Sequence, residues 1–466
     1  MKIQSRIIRI ILACCLTFVY GCEDWLDVSP SSTLKKEDLF QTQQGFQDVL
    51  HGVYIGLQDN RLYGRELTFG FLDVLAQYYT NIPGTPQHRY AQHHRYQYDA
   101  SGVKNMIDNI WHAMYNNIAN CNLLLDNIDE VDREIFSDRV YAMTKGEALA
   151  LRAFMHFDLL RLFAPPYSEE VKNLPAIPYV DRFINSRTPF STMEEVCQRI
   201  AQDLEEAREL LRAYDPIGPE SEEADHLTLF PRRAHFNYYA ATLLLARLSL
   251  YKGDYSQALS YVNELTTEHA LMKWQPISTL AMLRHIFRLH FRSTDYRSAV
   301  TDVYFDPESA HENFYLTVSV ERMLEIYDIG SGGSSDSRYI QWFSRTDFNY
   351  IQKTHNMDGP PVLRAEEVYL IGAEAALNTS PPLARSYLNS LRNFRNLDNL
   401  SPGANISDEI LKEYRKEFIG EGQLFHFYKR HGVQFIPGWG SALGEAQYVF
   451  PIPVSELEFN PINGHE

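Results

Sequence analysis

The sequence predicts a mainly α-helical protein, a tetratricopeptide-like helical scaffold interrupted by loop-rich irregular insertions. Three observations support this fold class. A strongly apolar helix is expected within 145–167, and two helix–turn–helix units recur at 240–266 and 366–393. Two segments, near 78–103 and 271–360, lack helical periodicity and contain many aromatic residues. Because loops on a rigid scaffold often carry binding residues, we expect these insertions to form the ligand face.

The central helix is predicted over 147–164, which contains no helix-breaking residue. Apolar side chains recur at helical spacing, and aromatic and alanine side chains cover most of the other faces, so we expect it to be buried nearly all round. Arg152 and His156 lie one turn apart, as do Asp158 and Arg161, and each pair is expected to interact. Two prolines end the helix, since neither has an N–H to donate.

Three further helices are predicted from apolar residues at the same spacing. They cover 42–57, 104–129 and 191–213. The last of them is expected to begin with a capping box formed by Ser191 and Glu194. The acidic stretch that follows, 215–225, is predicted to be a solvated loop.

The two helix–turn–helix units carry small residues where tetratricopeptide repeats need them. Gly253 forms the turn of the first unit, and Gly372 lies in the first helix of the second. Small residues let paired helices approach closely, and each pair needs neighbours to cover its outer face. Together with the other helices, the units indicate a right-handed helical scaffold within one domain, 41–466.

The first 21 residues, 1–21, are typical of a secretion signal peptide. Lys2, Arg6 and Arg9 make its start basic, and the apolar stretch at 7–20 is too short to span a bilayer. The residues that follow, 22–40, are expected to form a tether that leads to the folded domain.

Cys22 is the predicted attachment point of that tether. Gly21-Cys22 resembles a bacterial lipoprotein cleavage site, although Tyr20 stands where a smaller residue is usual. Cys14 and Cys15 are alternative cleavage points that would leave a shorter apolar stretch. Acyl chains on Cys22 would anchor the protein to a membrane, since each buried CH₂ contributes about 0.8 kcal/mol.

Charge and cysteine content narrow the class of partner. Lys and Arg number 43 against 60 Asp and Glu, a net charge of −17, which argues against nucleic acid. Outside the N-terminal region the cysteines are Cys121 and Cys197, both in predicted helices. They provide no disulfide framework and no zinc motif, and a bridge between them is left open.

The first insertion places several tyrosines beside prolines and a glycine. An exposed tyrosine ring can stack on the apolar face of a sugar while its hydroxyl forms a hydrogen bond. Packing of these rings onto the helices is the alternative. His88, His93 and His94 match no metal-ligand spacing, and neighbouring arginines would repel a cation, so no metal is expected.

The second insertion carries Trp274 and a Gly-rich segment, 330–335, that is expected to be flexible. Tyr339 and Trp342 follow, and Trp342 is expected either to bind ligand or to pack beneath the loop. Later in the chain, Trp439 stands in a Gly-Trp-Gly-Ser stretch whose spacing does not fit a dinucleotide-binding fingerprint.

Separated motifs along nearly the whole chain resemble the SusD/RagB-like family of outer-membrane nutrient-binding lipoproteins. The most specific motif is the central helix, where Ala148, Arg152, Phe157, Asp158 and Arg161 stand in the family's order before two prolines. The other matches are Trp25 to Pro30, 62–67 with Asp73, Trp111 with Asn122, Tyr327-Asp328 with Asp336 and Arg338, 409–431, and Phe450-Pro451-Ile452-Pro453 with Asn460-Pro461.

The motif at 409–431, which is expected to be helical, departs from the family pattern at three positions. Tyr414, Gln423 and His426 replace the family's usual Glu, Arg and Asp. These departures bear on one structural ion-pair cluster and not on the fold.

The resemblance implies a tetratricopeptide scaffold with a variable ligand face. It also implies a partner, a SusC-like TonB-dependent outer-membrane transporter, over whose extracellular mouth the protein would sit. Glu23, Asp24 and Asp27 resemble the surface-export signal of Bacteroidetes lipoproteins, which implies a lipid-anchored position on the outer membrane facing the cell exterior. Trp111 would then be a core residue.

The sequence therefore predicts a non-catalytic glycan-binding lipoprotein that captures oligosaccharide or polysaccharide and delivers it to the transporter. The alternative is a lid for the uptake of peptides or another nutrient. No motif marks a carboxylate pair or a nucleophile, so neither an enzyme nor a cofactor is expected. The lipidation signal and the aromatic insertions disfavour a scaffold that binds only protein. The expected ligand platform is drawn from Tyr78, Tyr79, Trp274, Tyr339, Trp342 and Trp439.

Overall fold

The described part of the chain is mainly helical, as the sequence predicts. The computed structural model describes residues 39–84, 86–215, 232–268, 283–291, 316–344, 350–353 and 359–462. The predictions for the signal peptide, Cys22 and Trp274 lie outside these residues. Among the helices described, none is long and apolar enough to cross a membrane.

The α-helices described in the first half are α1 (Gln43–Leu57), α2 (Phe71–Leu75), α3 (Ala91–His94), α4 (Ser101–Ile128), α5 (Asp138–Phe163) and α6 (Met193–Arg212). Four of them, α1, α4, α5 and α6, overlap the predicted helices, whereas the sequence predicts no helix at α2 or α3. Between α5 and α6, strand β1 (Pro175–Pro178) pairs with strand β2 (Phe190–Thr192) in antiparallel fashion. The helix α4 packs on α1 and α5, and α5 packs on α6.

The central helix α5 begins earlier than predicted because Ser137 caps it. The Ser137 hydroxyl accepts a hydrogen bond from the backbone N–H of Val140 at 3.3 Å. Every residue from 146 to 163 is buried, which confirms the prediction of a helix covered on all sides. The buried Trp111 of α4 packs edge-on against Phe163, with ring centroids 4.8 Å apart.

Arg152 and His156 interact through the backbone, since Nδ1 of His156 donates a 2.9 Å hydrogen bond to the Arg152 carbonyl, but their side chains do not pair. The guanidinium of Arg152 makes two 2.7 Å hydrogen bonds to the carboxylate of Asp203 on α6. The ring of His156 instead stacks on Tyr179 at 3.9 Å. Burial lowers the pKa of His156 to about 3, so the ring is neutral. The other predicted pair, Asp158 with Arg161, is present and buried.

Two local predictions around α6 are wrong. The capping box is formed by Thr192 and Glu195, one residue later than expected, because the chain is still extended at Ser191. At the far end of the helix, Asp215 is buried rather than solvated, since its carboxylate pairs with Arg232 at 2.5 Å. The rest of the acidic stretch lies outside the described residues.

The second half contains the two predicted repeat units, separated in sequence but packed together. The elements are α7 (Tyr238–Lys252), α8 (Tyr255–Asn263), β3 (His285–Arg288), α9 (Val320–Ile326), α10 (Ser337–Gln341), β4 (Pro361–Arg364), α11 (Ala365–Ala376), α12 (Pro381–Phe394), α13 (Ile406–Glu417), α14 (Gln423–Arg430), α15 (Glu445–Tyr448) and α16 (Val454–Phe459). Helix α8 of the first unit packs directly on α11 of the second, and β3 pairs with β4.

Two glycines have the roles in the repeats that the sequence predicts, one in a turn and one at a close helix contact. Gly253 ends α7 with a φ of 76°, a left-handed conformation that favours glycine. A Cβ on Gly372 would lie 3.0 Å from the side chains of Tyr387 and Val262, so the missing side chain allows α8, α11 and α12 to approach closely. Each repeat is thus a helix pair joined at a tight contact.

The predicted helix at 409–431 is in fact two helices, α13 and α14. Gly420 and Gly422 both have positive φ, 83° and 70°, and interrupt it. The carboxylate of Asp73 accepts hydrogen bonds from both glycine N–H groups, at 2.6 and 2.8 Å. A contact with a residue near the start of the chain therefore holds the break in place.

A buried ion network joins the second insertion to α13 and β4. Arg338 of α10 pairs with Asp336, Glu413 and Glu417 at 2.7 to 2.9 Å, and all four side chains are fully buried. Arg364 also pairs with Glu417, at 2.7 Å. The family's Asp336 and Arg338 motif is therefore structural in this chain. Cys121 and Cys197 are both buried and free, so they are not bridged.

Candidate functional site

An aromatic loop between α14 and α15 is the most exposed aromatic feature among those predicted platform segments that the structure describes. Its ends are joined by a 2.8 Å hydrogen bond from the N–H of Leu443 to the carbonyl of Gln434. Phe435 exposes 72% of its surface, and Trp439 is half-buried. We call the residues 434–443 the shelf loop. Aromatic rings on a loop that is held in shape can contact the apolar face of a ligand.

Trp439 is held in place by the first insertion. Its ring packs edge-on against Tyr96 at 5.2 Å and His94 at 6.0 Å between centroids. Burial lowers the pKa of His94 to about 4, so this support is neutral at physiological pH. The tryptophan is therefore positioned by two rings from a distant part of the chain.

Gly438 brings the shelf loop against α9. Its φ is 97°, and a Cβ there would lie 2.9 Å from Nη2 of Arg322 and 3.2 Å from the carbonyl oxygen of Gln77. Arg322 forms a 3.2 Å ion pair with Glu325, which also pairs with Arg415. A guanidinium and a carboxylate thus lie beside the aromatic loop and could hydrogen-bond a polar ligand.

The backbone beneath the shelf loop is strained at two residues. Gln77 and Tyr96 both have positive φ, 60° and 55°, although neither is glycine. The Gln77 amide donates hydrogen bonds to the His94 carbonyl and the Tyr96 hydroxyl, at 3.0 and 3.3 Å. Its carbonyl Oε1 is buried and has no hydrogen-bond partner among the described residues. Backbone strain next to a buried acceptor that lacks a hydrogen-bond partner is typical of functional sites.

Three predicted platform residues are buried, which corrects their proposed role as exposed rings. Tyr78 and Tyr79 are each 2% exposed, and their hydroxyls donate to backbone carbonyls of Arg415 and Phe69. Trp342 is 1% exposed, with Nζ of Lys353 lying 4.0 Å from its ring centroid. These side chains fill the core, so they offer no face to a ligand.

The remaining predicted residues have different positions. Tyr339 is half-buried on α10 and lies 5.9 Å from the ring of Tyr327. Trp274 lies outside the described residues. Of the predicted set, Trp439 alone among the described residues lies on the shelf loop. The segment 330–335 consists of two short 3-10 turns.

The first insertion forms packed structure rather than an open loop. Tyr90, Tyr96 and Tyr98 are buried, so the packing alternative is correct for these rings. His93 and His94 are buried as well, and the described residues contain no group of side chains arranged to hold a metal ion.

Phe435 is the residue that the sequence prediction missed. It stands in a short irregular stretch between Gly432 and Gly438, four residues before Trp439. A large apolar residue beside glycines and a proline, outside any helical stripe, is the signal that could have identified it.

The fold defines the class of the protein, which is a scaffold of packed helix pairs that carries a closed aromatic loop. Two family models then match the sequence. The model described as "Starch-binding associating with outer membrane" matches residues 24–250, and the SusD family model matches residues 325–434. The chain belongs to the SusD/RagB family.

Relatives of known sequence or structure agree with this assignment. A SusD-like protein of Formosa agariphila is 27% identical over 176 residues, which cover 36% of this chain and 32% of that protein. The match thus spans about a third of the relative's length.

Solved structures share the fold over most of the chain. A SusD superfamily protein from Bacteroides thetaiotaomicron superposes with a TM-score of 0.69 at 21% identity, covering 90% of this chain and 98% of that one. A protein described as a laminarin-binding SusD-like protein has a TM-score of 0.63 at 18% identity, with 90% and 98% covered.

Proposed function

We propose that this chain is a non-catalytic cell-surface glycan-binding lipoprotein. It captures oligosaccharide or polysaccharide and delivers it to a SusC-like TonB-dependent transporter. Cys22 carries the lipid anchor after removal of residues 1–21, and residues 22–40 tether the domain 41–466 to the outer membrane, facing the cell exterior. Release of a Cys22→Ala variant into the soluble fraction would support the anchor, and continued membrane attachment would contradict it.

The observation that carries glycan binding is the presence of two aromatic rings on the shelf loop, the exposed Phe435 and the half-buried Trp439. Phe435 and Trp439 offer apolar faces, on which the C–H face of a pyranose can stack. Arg322 and Glu325 supply polar groups beside the shelf loop. A few convergent polar groups next to apolar faces are typical of small-ligand sites.

Three carboxylates of the described core have a structural role and are unsuited to catalysis. Glu413 and Glu417 are fully buried and paired with arginines, as is Asp336. A carboxylate held in this way serves the fold and is not accessible to a substrate. The glycan-binding description of a structural relative favours the same class of ligand.

The alternative is a lid that takes up peptides or another nutrient. Aromatic faces beside an Arg–Glu pair would also accept a peptide, because both polar groups can bond a peptide backbone. A ligand screen separates the two classes.

The test is a binding screen by affinity electrophoresis. The mature chain lacking Cys22 is run through gels containing plant, microbial or host polysaccharides. We expect one polysaccharide to retard the protein, and Trp439→Ala and Phe435→Ala to weaken that binding about tenfold, which is about 1.4 kcal/mol. Phe459→Ala is the matched control, because Phe459 is 65% exposed but belongs to α16.

Three outcomes are informative. Normal binding by both shelf variants would move the site elsewhere, and Tyr339→Ala would be tested next. Equal weakening by Phe459→Ala would show that the effect is not specific to the shelf loop. If no polysaccharide retards the wild-type chain while a peptide mixture does, the peptide-uptake alternative is favoured.

A further inference from the structure

A cavity of about 40 Å³ lies between α5, α7, α11 and α14. This volume is enough for one or more water-sized occupants. Phenylalanine, tyrosine and leucine side chains form part of the lining, and polar side chains complete it. The charged and polar residues are Arg161, Arg247, Glu367, Gln423, His426, Lys429 and Arg430. The cavity involves none of the residues of the shelf loop.

The three guanidinium groups at this cavity have carboxylate partners. Arg430 pairs with Glu374. Arg247 makes hydrogen bonds of 2.6 and 2.7 Å to Glu367. Arg161 pairs with Asp158, and it also donates to Oε1 of Gln423 at 3.1 Å. One carboxylate therefore offsets the charge of each of these arginines.

Lys429 has no such partner. It is 4% exposed, and its ammonium donates to the backbone carbonyls of Arg161 and Leu162 at 2.6 and 3.1 Å. Among the described residues, no carboxylate lies within ion-pairing distance of this ammonium. Burial and the nearby Arg161 lower the pKa of Lys429, against the attraction of Glu445. An anion beside this ammonium would favour its charged form. A buried charge without a counter-charge is costly.

His426 adds an unmet polar atom to the same cavity. It is 7% exposed, and its Nδ1 is buried without a hydrogen-bond partner among the described residues. Burial and the charges of Arg161 and Lys429 lower its pKa, so the ring is neutral. A neutral imidazole with its proton on Nδ1 can donate a hydrogen bond to an anion.

We propose that the cavity binds a small monovalent anion, chloride or a carboxylate of similar size such as formate. The anion supplies the negative charge that Lys429 lacks and accepts a hydrogen bond from His426. The site stabilises the contact between α5 and α14 and does not depend on the glycan-binding function.

Thermal unfolding of the mature chain in different sodium salts tests the proposal. The melting temperature is measured in chloride, formate and gluconate at equal sodium concentration. We expect a saturable rise of several degrees with chloride or formate, because a ligand that binds only the folded state stabilises it. Gluconate is too large for the cavity and should give only the effect of ionic strength.

His426→Asp tests the assignment of the site. The new carboxylate supplies the missing charge, so we expect the anion dependence to disappear. His112→Asp is the matched control, since His112 is exposed on α4 and outside the cavity, and it should keep the wild-type response. A His426→Asp protein that still responds to chloride as the wild type does would overturn the proposal, as would equal responses to all three salts.

Bromide provides a second readout that needs no variant. Crystals of the wild-type chain soaked in sodium bromide should show an anomalous peak beside Lys429 and His426. Bromide peaks only at exposed lysines would contradict the site even if His426→Asp failed to fold.

Discussion

Gly438 determines how the shelf loop meets the rest of the molecule. Its positive φ and its close approach to Arg322 and Gln77 leave no room for a side chain. Trp439 is the next residue, so the direction of its ring depends on this one backbone conformation.

We therefore predict that Gly438→Ala weakens ligand binding without unfolding the protein. The added methyl group must displace Arg322 or the Gln77 carbonyl, and a non-glycine residue at this φ costs about 1 kcal/mol or more. Binding by affinity electrophoresis and thermal melting are measured together. Gly440→Ala is the control, because a Cβ there meets nothing within 4 Å. Equal losses in the two variants would contradict the argument.

For single residues, the sequence predicts Trp439 as part of the ligand platform but does not predict which side chains contact it. Tyr78, Tyr79 and Trp342 stand in irregular segments, which suggested exposure, yet they fill the core. Whether a ring in a loop points outward depends on long-range packing, and a local pattern carries no such information. Phe435 was missed for the same reason.

Individual helices show how closely the repeat units are fitted together. Gly372 of α11 faces Tyr387 of α12 and Val262 of α8, with no spare volume. A Cβ added at Gly52, in the exposed middle of α1, would meet nothing within 4 Å. A glycine is thus required for close packing in one helix and not in the other.

We predict opposite effects of the same substitution at these glycines. Gly372→Ala should lower the free energy of unfolding by about 1–3 kcal/mol through overpacking. Gly52→Ala should raise it by about 0.5–1 kcal/mol, because alanine favours a helix and nothing blocks its methyl group. Urea denaturation of both variants measures the difference. Stabilisation by Gly372→Ala would show that α8, α11 and α12 can separate without cost.

Most helices could be predicted from apolar spacing and small residues, whereas several of their ends could not. The α13–α14 break was missed because it depends on Asp73, which is 347 residues away from Gly420 in the chain. The start of α6 was misplaced by one residue because Ser191 and Thr192 are both good capping residues, and the strand pairing decides between them.

The stability of the whole fold depends on buried carboxylates that stay ionised. Burial alone would raise the pKa of Glu374, but Arg430 outweighs it and the pKa is lowered to about 2. Glu147 is similar, since Arg232 and His235 lower its pKa to about 2 against the effect of burial. Such groups stabilise the fold above the pKa of the unfolded chain, about 4.5.

We predict that stability falls steeply between about pH 4.5 and pH 2, as these groups take up protons on unfolding. Glu374→Gln should lower the free energy of unfolding at pH 7 by on the order of 3 kcal/mol and reduce the steepness of the acid transition, because Arg430 loses its partner. Urea denaturation across this pH range checks both. Glu130→Gln, at an exposed position, should leave the curve unchanged. If the free energy of unfolding of Glu374→Gln fell with pH as steeply as that of the wild type, this explanation would be ruled out.

The backbone hydrogen bond between Gln434 and Leu443 has a consequence for the diversity of such proteins. A loop whose two ends are already joined can change its length and composition without moving the helices that carry it. Loops of different sequence could therefore occupy this position on the same helical scaffold. Recognition would then evolve quickly here, while the buried salt-bridged interior stayed nearly constant.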